Sequence, residues 1–274
     1  MITIQPIGGL GNRLRVLHSA LSLHSGNDKP FRFIWPRDGH MNCSYHDLFK
    51  NHQGFILKDA SGVGLKGLIN KIKIIPGFKQ IGLSNYSIIY DDKKIIELKK
   101  NGYDFNRLFE MTSVLIKTHQ WFYTAEHGRF MMPEPAVEIR ERVKKITDTY
   151  PENIIGIHIR MGDNRMAQKL STLDLFLLHI ENEIRLNYPV HFFLSTDSSK
   201  TEEILLDKFP DYITVQTNKS LDRSTEKSAK DAFVDMLCLS KTKKIIGSYH
   251  SSFSDIAAIL SGLEKKIVEP DNVE

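Results

Sequence analysis

The chain has 274 residues, enough for one large domain or two medium ones, and its 41% hydrophobic, 26% charged and 9% aromatic composition is that of an ordinary soluble globular protein. A formal charge of +4 without a dense Lys/Arg run argues against a nucleic-acid partner and against a strong membrane-surface binder, leaving room only for weak peripheral association. No run of eighteen apolar residues marks a membrane span, and residues 1–4 enter a strand with no leader pattern. Cys43 and Cys238 are too few for a disulfide framework, so a cytoplasmic location, extending at most to the inner membrane surface, is expected.

Residues 1–6 read as a short strand and residues 7–12 as a glycine-rich turn. Residues 13–25 read as a helix, with Leu14, Leu17 and Leu21 at helical spacing and Asn12 as its N-cap. A second strand is expected at 31–35. From 36 to 79 the pattern weakens into loops and short helices. Helix, strand and helix follow near 97–100, 114–118 and 134–149. After residues 150–153 the alternation becomes regular. Strands are expected at 154–160, 190–195, 212–216, 244–248 and 266–268. Between them lie helices at 172–187, 199–209, 229–241 and 252–261, the second opening on the capping-box form Ser199-Lys200-Thr201-Glu202. Strands alternating with helices build a parallel sheet covered on both faces. The expected fold is α/β, with two Rossmann-like halves, residues 1–150 and 151–274, and the ligand between them.

The most informative stretch is Ile154-Ile155-Gly156-Ile157-His158-Ile159-Arg160-Met161-Gly162-Asp163. It begins as a fully buried strand. Side chains alternate between faces, so Gly156, His158 and Arg160 form one stripe and Ile155, Ile157, Ile159 and Met161 the other. A guanidinium at the carboxyl end of such a strand lies where open α/β sheets bind ligands, and its fork suits phosphate or carboxylate. A structural ion pair is the plainer alternative.

Four further stretches carry chemistry. Gly9-Leu10-Gly11-Asn12-Arg13-Leu14 lacks the third glycine of a dinucleotide fingerprint and the Gly-Lys-Ser/Thr of a phosphate loop. What remains is a glycine turn feeding a helix N-terminus, with Arg13 and Arg15 opposing the helix dipole unless an anion binds there. Phe193-Leu194-Ser195-Thr196-Asp197 ends a buried strand in hydroxyls and a carboxylate at the same edge as Arg160. Asp231 and Asp235 are like charges one helical turn apart, so one of them should face a donor. Ser251 and Ser252 then open a second anion-ready helix N-terminus, unless they only cap it. His40, Cys43 and His46 have metal-like spacing, but no second pair completes a four-ligand site, and no metal is assigned.

In this order the motifs resemble the fucosyltransferase superfamily that includes bacterial α1,2- and α1,6-fucosyltransferases and protein O-fucosyltransferases. The matching residues are Gly8-Gly9-Leu10-Gly11-Asn12-Arg13-Leu14, His158-Ile159-Arg160-Met161-Gly162-Asp163, Phe193-Leu194-Ser195-Thr196-Asp197, and Asp235 through Ser240 to Ser251-Ser252-Phe253-Ser254. The strong part covers residues 154–260; residues 36–130 match no motif of the family. Arg13-Leu14-Arg15 departs from the α1,2 branch, which leaves the linkage open.

The resemblance implies a GT-B-like fold, residues 1–150 on the acceptor side and 151–274 on the nucleotide-sugar side. It implies GDP-fucose as donor, a glycan or glycolipid acceptor hydroxyl, inversion at the anomeric carbon, and no cofactor or metal. The missing Asp-x-Asp motif agrees with the last point. Arg160 would be the catalytic residue, holding the β-phosphate of departing GDP. His158 and Asp235 would contact the guanosine, Ser251 or Ser252 a phosphate, Asp197 the nucleotide side, and the Gly9, Gly11, Asn12 and Arg13 turn the sugar diphosphate. Asp163, Asp38 and Glu126 are unranked candidates for the base. Two other classes compete: a non-catalytic nucleotide-sugar-binding module, and a dinucleotide oxidoreductase, which the missing third glycine disfavours.

Overall fold

The computed structural model describes residues 1–27, 29–50, 54–61, 86–124, 129–162, 164–222 and 224–270. The chain divides into two compact units, Met1–Ala136 with Arg223–Glu226, and Val137–Asp222 with Lys227–Glu274. The division falls at 136/137 rather than 150/151. The reason is the helix preceding residue 150: its Arg142 pairs with Asp231, and Tyr150 packs on Phe193 at 5.6 Å, so both belong with the second sheet.

The first unit is a parallel sheet. β1 (Thr3–Pro6) leads through α1 (Leu10–Ser25) to β2 (Phe31–Arg37), and a short α2 (Tyr45–Leu48) precedes β3 (Phe55–Ser61). β4 (Ile88–Tyr90), α3 (Asp92–Lys100), a 3-10 turn (Phe105–Glu110) and β5 (Val114–Thr118) follow. The strand order is β3-β2-β1-β5-β4, all parallel. Order reverses between β1 and β5, which makes their carboxyl ends the switch point of this sheet. α1 starts earlier than expected. Its N-cap is Gly9, not Asn12, and no side chain caps it. Gly8 has φ +86°, and a Cβ there would stand 2.7 Å from Asn12 Nδ2, so the turn before α1 requires glycine twice over.

The second unit opens with α4 (Val137–Thr147) and β6 (Ile154–Ile159), followed by α5 (Arg165–Leu170), α6 (Leu173–Leu186), β7 (His191–Thr196) and α7 (Ser199–Lys208). β8 (Ile213–Val215), α8 (Glu226–Leu239), β9 (Lys244–Ser248), α9 (Ser252–Ser261) and β10 (Glu264–Val268) complete it. The strand order is β10-β9-β6-β7-β8, again all parallel, with the switch point between β6 and β9. The two stripes of β6 separate as expected. Ile155, Ile157 and Ile159 join Phe176, Ile180, Phe192, Leu194 and Ile246 in one apolar core. On the other face a Cβ at Gly156 would meet Thr242 Oγ1 at 2.8 Å and Leu239 Cδ2 at 3.0 Å, so this glycine is where α8 closes on the sheet. α7 is capped by Ser198, whose side chain accepts from the Thr201 N–H; the cap falls one residue before the expected Ser199. Thus the α/β class with two Rossmann-like sheets is the observed one. Among the described residues no helix is long and apolar enough to cross a membrane.

Candidate functional site

In the second unit, the carboxyl ends of β6, β7 and β9 and the start of α9 bring the expected residues together. The Arg160 N–H donates to Ser248 Oγ at 2.9 Å, across the switch point. Asp197, just past β7, accepts from the Met161 and Gly162 N–H groups at 2.7 and 3.0 Å through Oδ1, and its Oδ2 lies 4.0 Å from Arg160 Nη1. Ser198 serves the helix cap, so Asp197 is left to shape the turn that carries Arg160. The Arg160 side chain is 24% exposed, so part of its fork reaches solvent.

His158 is buried one strand step back. Its ring stacks on Phe253 at 4.8 Å with a 20° interplanar angle. Burial holds its pKa well below the ordinary imidazole value, and the positive charges of Arg160 and Lys265 push the same way. His158 is therefore a neutral ring at neutral pH. Asp235, on α8, is also buried. Its Oδ2 accepts from Ser195 Oγ at 2.9 Å and lies 3.7 Å from Lys219 Nζ, itself ion-paired with Glu202. Burial raises the Asp235 carboxyl to about 6, against the opposing pull of Lys219 and Ser195.

Both members of the like-charged pair face donors. Asp231 accepts from Arg142, from Lys227 at 2.7 Å and from the Ser220 N–H at 2.7 Å. Burial would raise its pKa, but those hydrogen bonds outweigh it and hold the carboxylate below its ordinary range. Asp231 is thus satisfied and structural. Asp235 keeps an oxygen in reserve.

That reserve is shared by its neighbours. His158 Nδ1, Asp235 Oδ1 and Ser251 Oγ are buried side-chain atoms with no hydrogen-bond partner. A buried polar atom left unpaired costs about 1–3 kcal/mol, so three on one side of a sheet need a reason. Ser251 bears directly on the capping alternative: it is the N-cap of α9, yet its hydroxyl makes no cap hydrogen bond. Ser252 follows as the first helical residue and is half-buried.

The first unit treats its expected residues differently. Gly9 and Gly11 flank the uncapped start of α1, and Asn12 is half-buried over Gly8. The anion that Arg13 faces is a protein carboxylate. The arginine is fully buried, donating from Nε to the Gly8 carbonyl at 2.8 Å, from Nη1 to the Pro36 carbonyl, and from Nη2 to Asp38 Oδ1 at 2.8 Å. Its guanidinium also lies 5.4 Å from the Trp35 ring centroid. The dipole conflict is relieved by Asp38, not by a ligand, and Arg13 fixes the turn from beneath. Asp38 is accordingly engaged, accepting from the His40 N–H at 2.9 Å as well. The other two base candidates, Asp163 and Glu126, lie outside the described residues.

Sequence reasoning missed Lys219, Glu202, Ser195 and Phe253 as parts of this constellation. Ser195 and Phe253 stood inside quoted motifs and could have been found by strand alternation and helix register. Lys219 lies between β8 and α8, where no periodicity points.

No family model matches the chain, and no curated protein matches it. Solved structures do. The chain is similar to NodZ α-1,6-fucosyltransferase soaked with GDP-fucose, at 21% identity over 99% of this chain and 95% of that one, with a TM-score of 0.65. NodZ from Bradyrhizobium gives 22% identity over the same shares and a TM-score of 0.64. A variant of Arabidopsis thaliana FUT1 in complex with GDP matches 99% of this chain and 70% of its own length, at 14% identity and TM-score 0.59. POFUT1 in complex with GDP matches 97% of both chains at 11% identity and TM-score 0.55. In fold, therefore, this chain is of the GT-B-like kind that these fucosyltransferases have.

Proposed function

We propose that the chain is an enzyme transferring fucose from GDP-fucose to the hydroxyl of a glycan or glycolipid, with inversion and without a metal. The observation that carries this reading is the set of unpaired buried atoms, His158 Nδ1, Asp235 Oδ1 and Ser251 Oγ, beside Arg160 at the second sheet's switch point. Those atoms would be satisfied by a nucleotide. In this reading the Asp235 carboxylate accepts from the guanine N–H edge, and neutral His158 hydrogen-bonds the nucleoside. Ser251 and the uncapped N–H groups of α9 hold a phosphate. Asp197 supports the nucleotide side by fixing the Met161-Gly162 turn. The Gly9, Gly11 and Asn12 turn of the first unit presents the uncapped N–H groups of α1 to an anion. The second unit is the donor side and the first the acceptor side.

The mechanism asks for two charges to be met. As the bond from C1 to the β-phosphate oxygen breaks, its electron pair leaves on GDP and the sugar gains oxocarbenium character. Arg160 is a fixed guanidinium whose backbone is tied to Ser248, so it meets the phosphate charge with little reorganisation. Attack by the acceptor oxygen on the opposite face inverts C1. No Asp-x-Asp pair stands in the sequence to hold a cation on the diphosphate, so arginine and helix N-termini carry that load.

The test is twofold. GDP binding is measured by calorimetry, and GDP release from GDP-fucose is followed in excess EDTA. Binding with turnover is expected. Binding without turnover would favour a nucleotide-sugar-binding module, activity restored only by Mn²⁺ or Mg²⁺ would remove metal independence, and absence of binding would overturn the reading.

A further inference from the structure

Lys219, in the segment between β8 and α8 of the second unit, buries an ammonium: its side chain is 6% exposed. The ammonium is ion-paired with Glu202 of α7 and lies 3.7 Å from Asp235 Oδ2 on α8. The segment is tied to α8 on both sides of it. Gln216 Nε2 donates to the Asp231 carbonyl at 3.2 Å, Lys227 Nζ to the Asn218 carbonyl, and the Ser220 N–H to Asp231 Oδ2 at 2.7 Å. Asn218, with φ +57°, takes the left-handed conformation that asparagine adopts more readily than most residues.

Holding the segment does not explain why Lys219 is buried. Three hydrogen bonds to α8 do that without it, and α7 is capped by Ser198. An ion pair with Glu202 alone would cost less at the surface, where water solvates both charges. What the buried position adds is a second carboxylate. Asp235 is buried, with Oδ2 accepting from Ser195 Oγ and Oδ1 left without a partner. Burial drives this carboxyl towards its neutral form, and the charges of Glu202 and Asp231 push the same way; Lys219 and the Ser195 hydroxyl oppose them. Asp231 spends its own charge on Arg142 and Lys227. Tyr150, ahead of β6, and Cys238, on α8, also feel the Asp235 charge, but burial raises both above their ordinary values, so they stay neutral. Of the groups facing Asp235, Lys219 supplies the positive charge.

We infer that Lys219 is a positioning residue of the donor site, held against Asp235 by Glu202 and by the ties of its segment to α8, so that Asp235 meets the nucleobase as a charged acceptor. The inference rests on the fucosyl-transfer reading, in which Oδ1 accepts from the guanine N–H edge. A carboxylate matches that edge, which offers only donors. A neutral acid would turn a donor of its own towards it. Lys219 touches no ligand in this account; it acts through Asp235.

The pH dependence of GDP binding separates this role from a structural one. Calorimetry is run from about pH 5 to 8.5 on wild type, Lys219→Met, Lys219→Arg and Glu202→Gln. The terminal phosphate of GDP titrates alike in every arm, so differences between the proteins report on Asp235. An opposite charge at this range lowers a carboxyl by about 1–3 pH units, so the midpoint of GDP affinity should rise by about that much in Lys219→Met. The affinity that variant loses at pH 7 should be regained as pH rises. Lys219→Arg should keep the wild-type midpoint. Glu202→Gln removes a like charge and should move the midpoint down, which keeps the test open if Lys219→Met does not fold. A Lys219 that merely stitched α7 to the segment would instead lower the melting temperature and reduce affinity by one factor at every pH. That pattern, a midpoint unchanged in Lys219→Met, or one that fails to fall in Glu202→Gln would overturn the inference. A wild-type protein that binds no GDP would overturn the reading beneath it.

Discussion

Arg13 and Arg160 look alike on paper. Each stands beyond or at the carboxyl end of the first strand of a parallel sheet, close to glycine, where anions usually bind. Their environments differ completely. Arg13 is 0% exposed, and its fork is occupied by the Gly8 and Pro36 carbonyls and Asp38. Arg160 is 24% exposed, with Asp197 Oδ2 4.0 Å from its Nη1. A guanidinium at a ligand edge therefore reports nothing by itself. The Arg13 fork is closed by carbonyls from the turn before α1 and from β2 and by a carboxylate just past β2, and that closure marks it as scaffold.

The comparison breaks first at Arg13. Arg13→Ala would strand two carbonyls and a carboxylate, and stability should fall by about 3–5 kcal/mol in denaturant titration. A variant as stable as wild type would mean the fork is not holding the turn. Next comes Arg160. Arg160→Ala should lower turnover of GDP-fucose by about 10²–10³-fold while changing ligand-free stability by less than about 1 kcal/mol. Arg160→Lys should recover only part, since a point charge cannot make the forked contact. A collapsed melting temperature in Arg160→Ala would make the two arginines alike after all.

Asp235 sharpens the site side. Asp235→Asn should weaken GDP binding by roughly ten- to a hundredfold, the worth of a buried hydrogen bond to a charged group at about 1.5–3 kcal/mol. Because its carboxyl is raised to about 6, wild-type GDP affinity should also drop as pH falls through that value, when the acceptor becomes a protonated acid. Stability runs the other way. The folded form takes up this proton before an unfolded carboxyl does, so Asp235 costs stability at neutral pH, and the cost is relieved on acidification from about 6 towards 4. Calorimetry across that range, on wild type and the asparagine variant, reads both slopes; a flat wild-type profile would place Asp235 outside the binding surface.

A further effect belongs to the scaffold side. His18 of α1 is buried, stacked on Phe130 at 4.7 Å, and accepts the Met131 N–H at Nδ1 at 2.8 Å. Burial lowers its pKa to about 4. The unfolded chain is protonated there first, so stability should fall as pH drops from 6.5 towards 4, at up to about 1.4 kcal/mol per pH unit. His18→Gln should flatten that part of the stability profile, and an unchanged slope would refute the assignment.

Much of this was legible in the sequence, and the reasons are local. β6 could be read because its alternation of isoleucine with Gly156, His158 and Arg160 is a property of neighbouring residues. Ser251, Asp235 and Asp197 could be placed because each follows a strand or lies on a helix of clear period. Arg13 was misread because Asp38 lies beyond the next strand, and one-dimensional spacing does not reveal that a partner returns. The start of α1 was misplaced for a related reason: Gly9 is a poor cap on paper, and only the packing of Asn12 over Gly8 explains why the helix begins there. β3 went unseen in a stretch where apolar period is weak and only loops and short helices, such as α2, were expected. The contact of Asp92 on α3 with His119 after β5 joins two elements through one carboxylate and leaves no periodic trace.

In the second sheet the link between β6 and β9 changes character at its carboxyl end. The register of β6 with β9 runs from Gly156↔Ile245 to His158↔Gly247. Beyond that pair the link passes to a side chain: Ser248 Oγ accepts from the Arg160 N–H at 2.9 Å and donates to the His158 carbonyl at 3.5 Å. A single hydroxyl thus serves as a spacer, holding two diverging strands at a fixed gap. Its length is the gauge. Alanine at 248 would remove the spacer and leave the Arg160 N–H to water. Threonine would keep the hydroxyl but add a methyl group at a fully buried position.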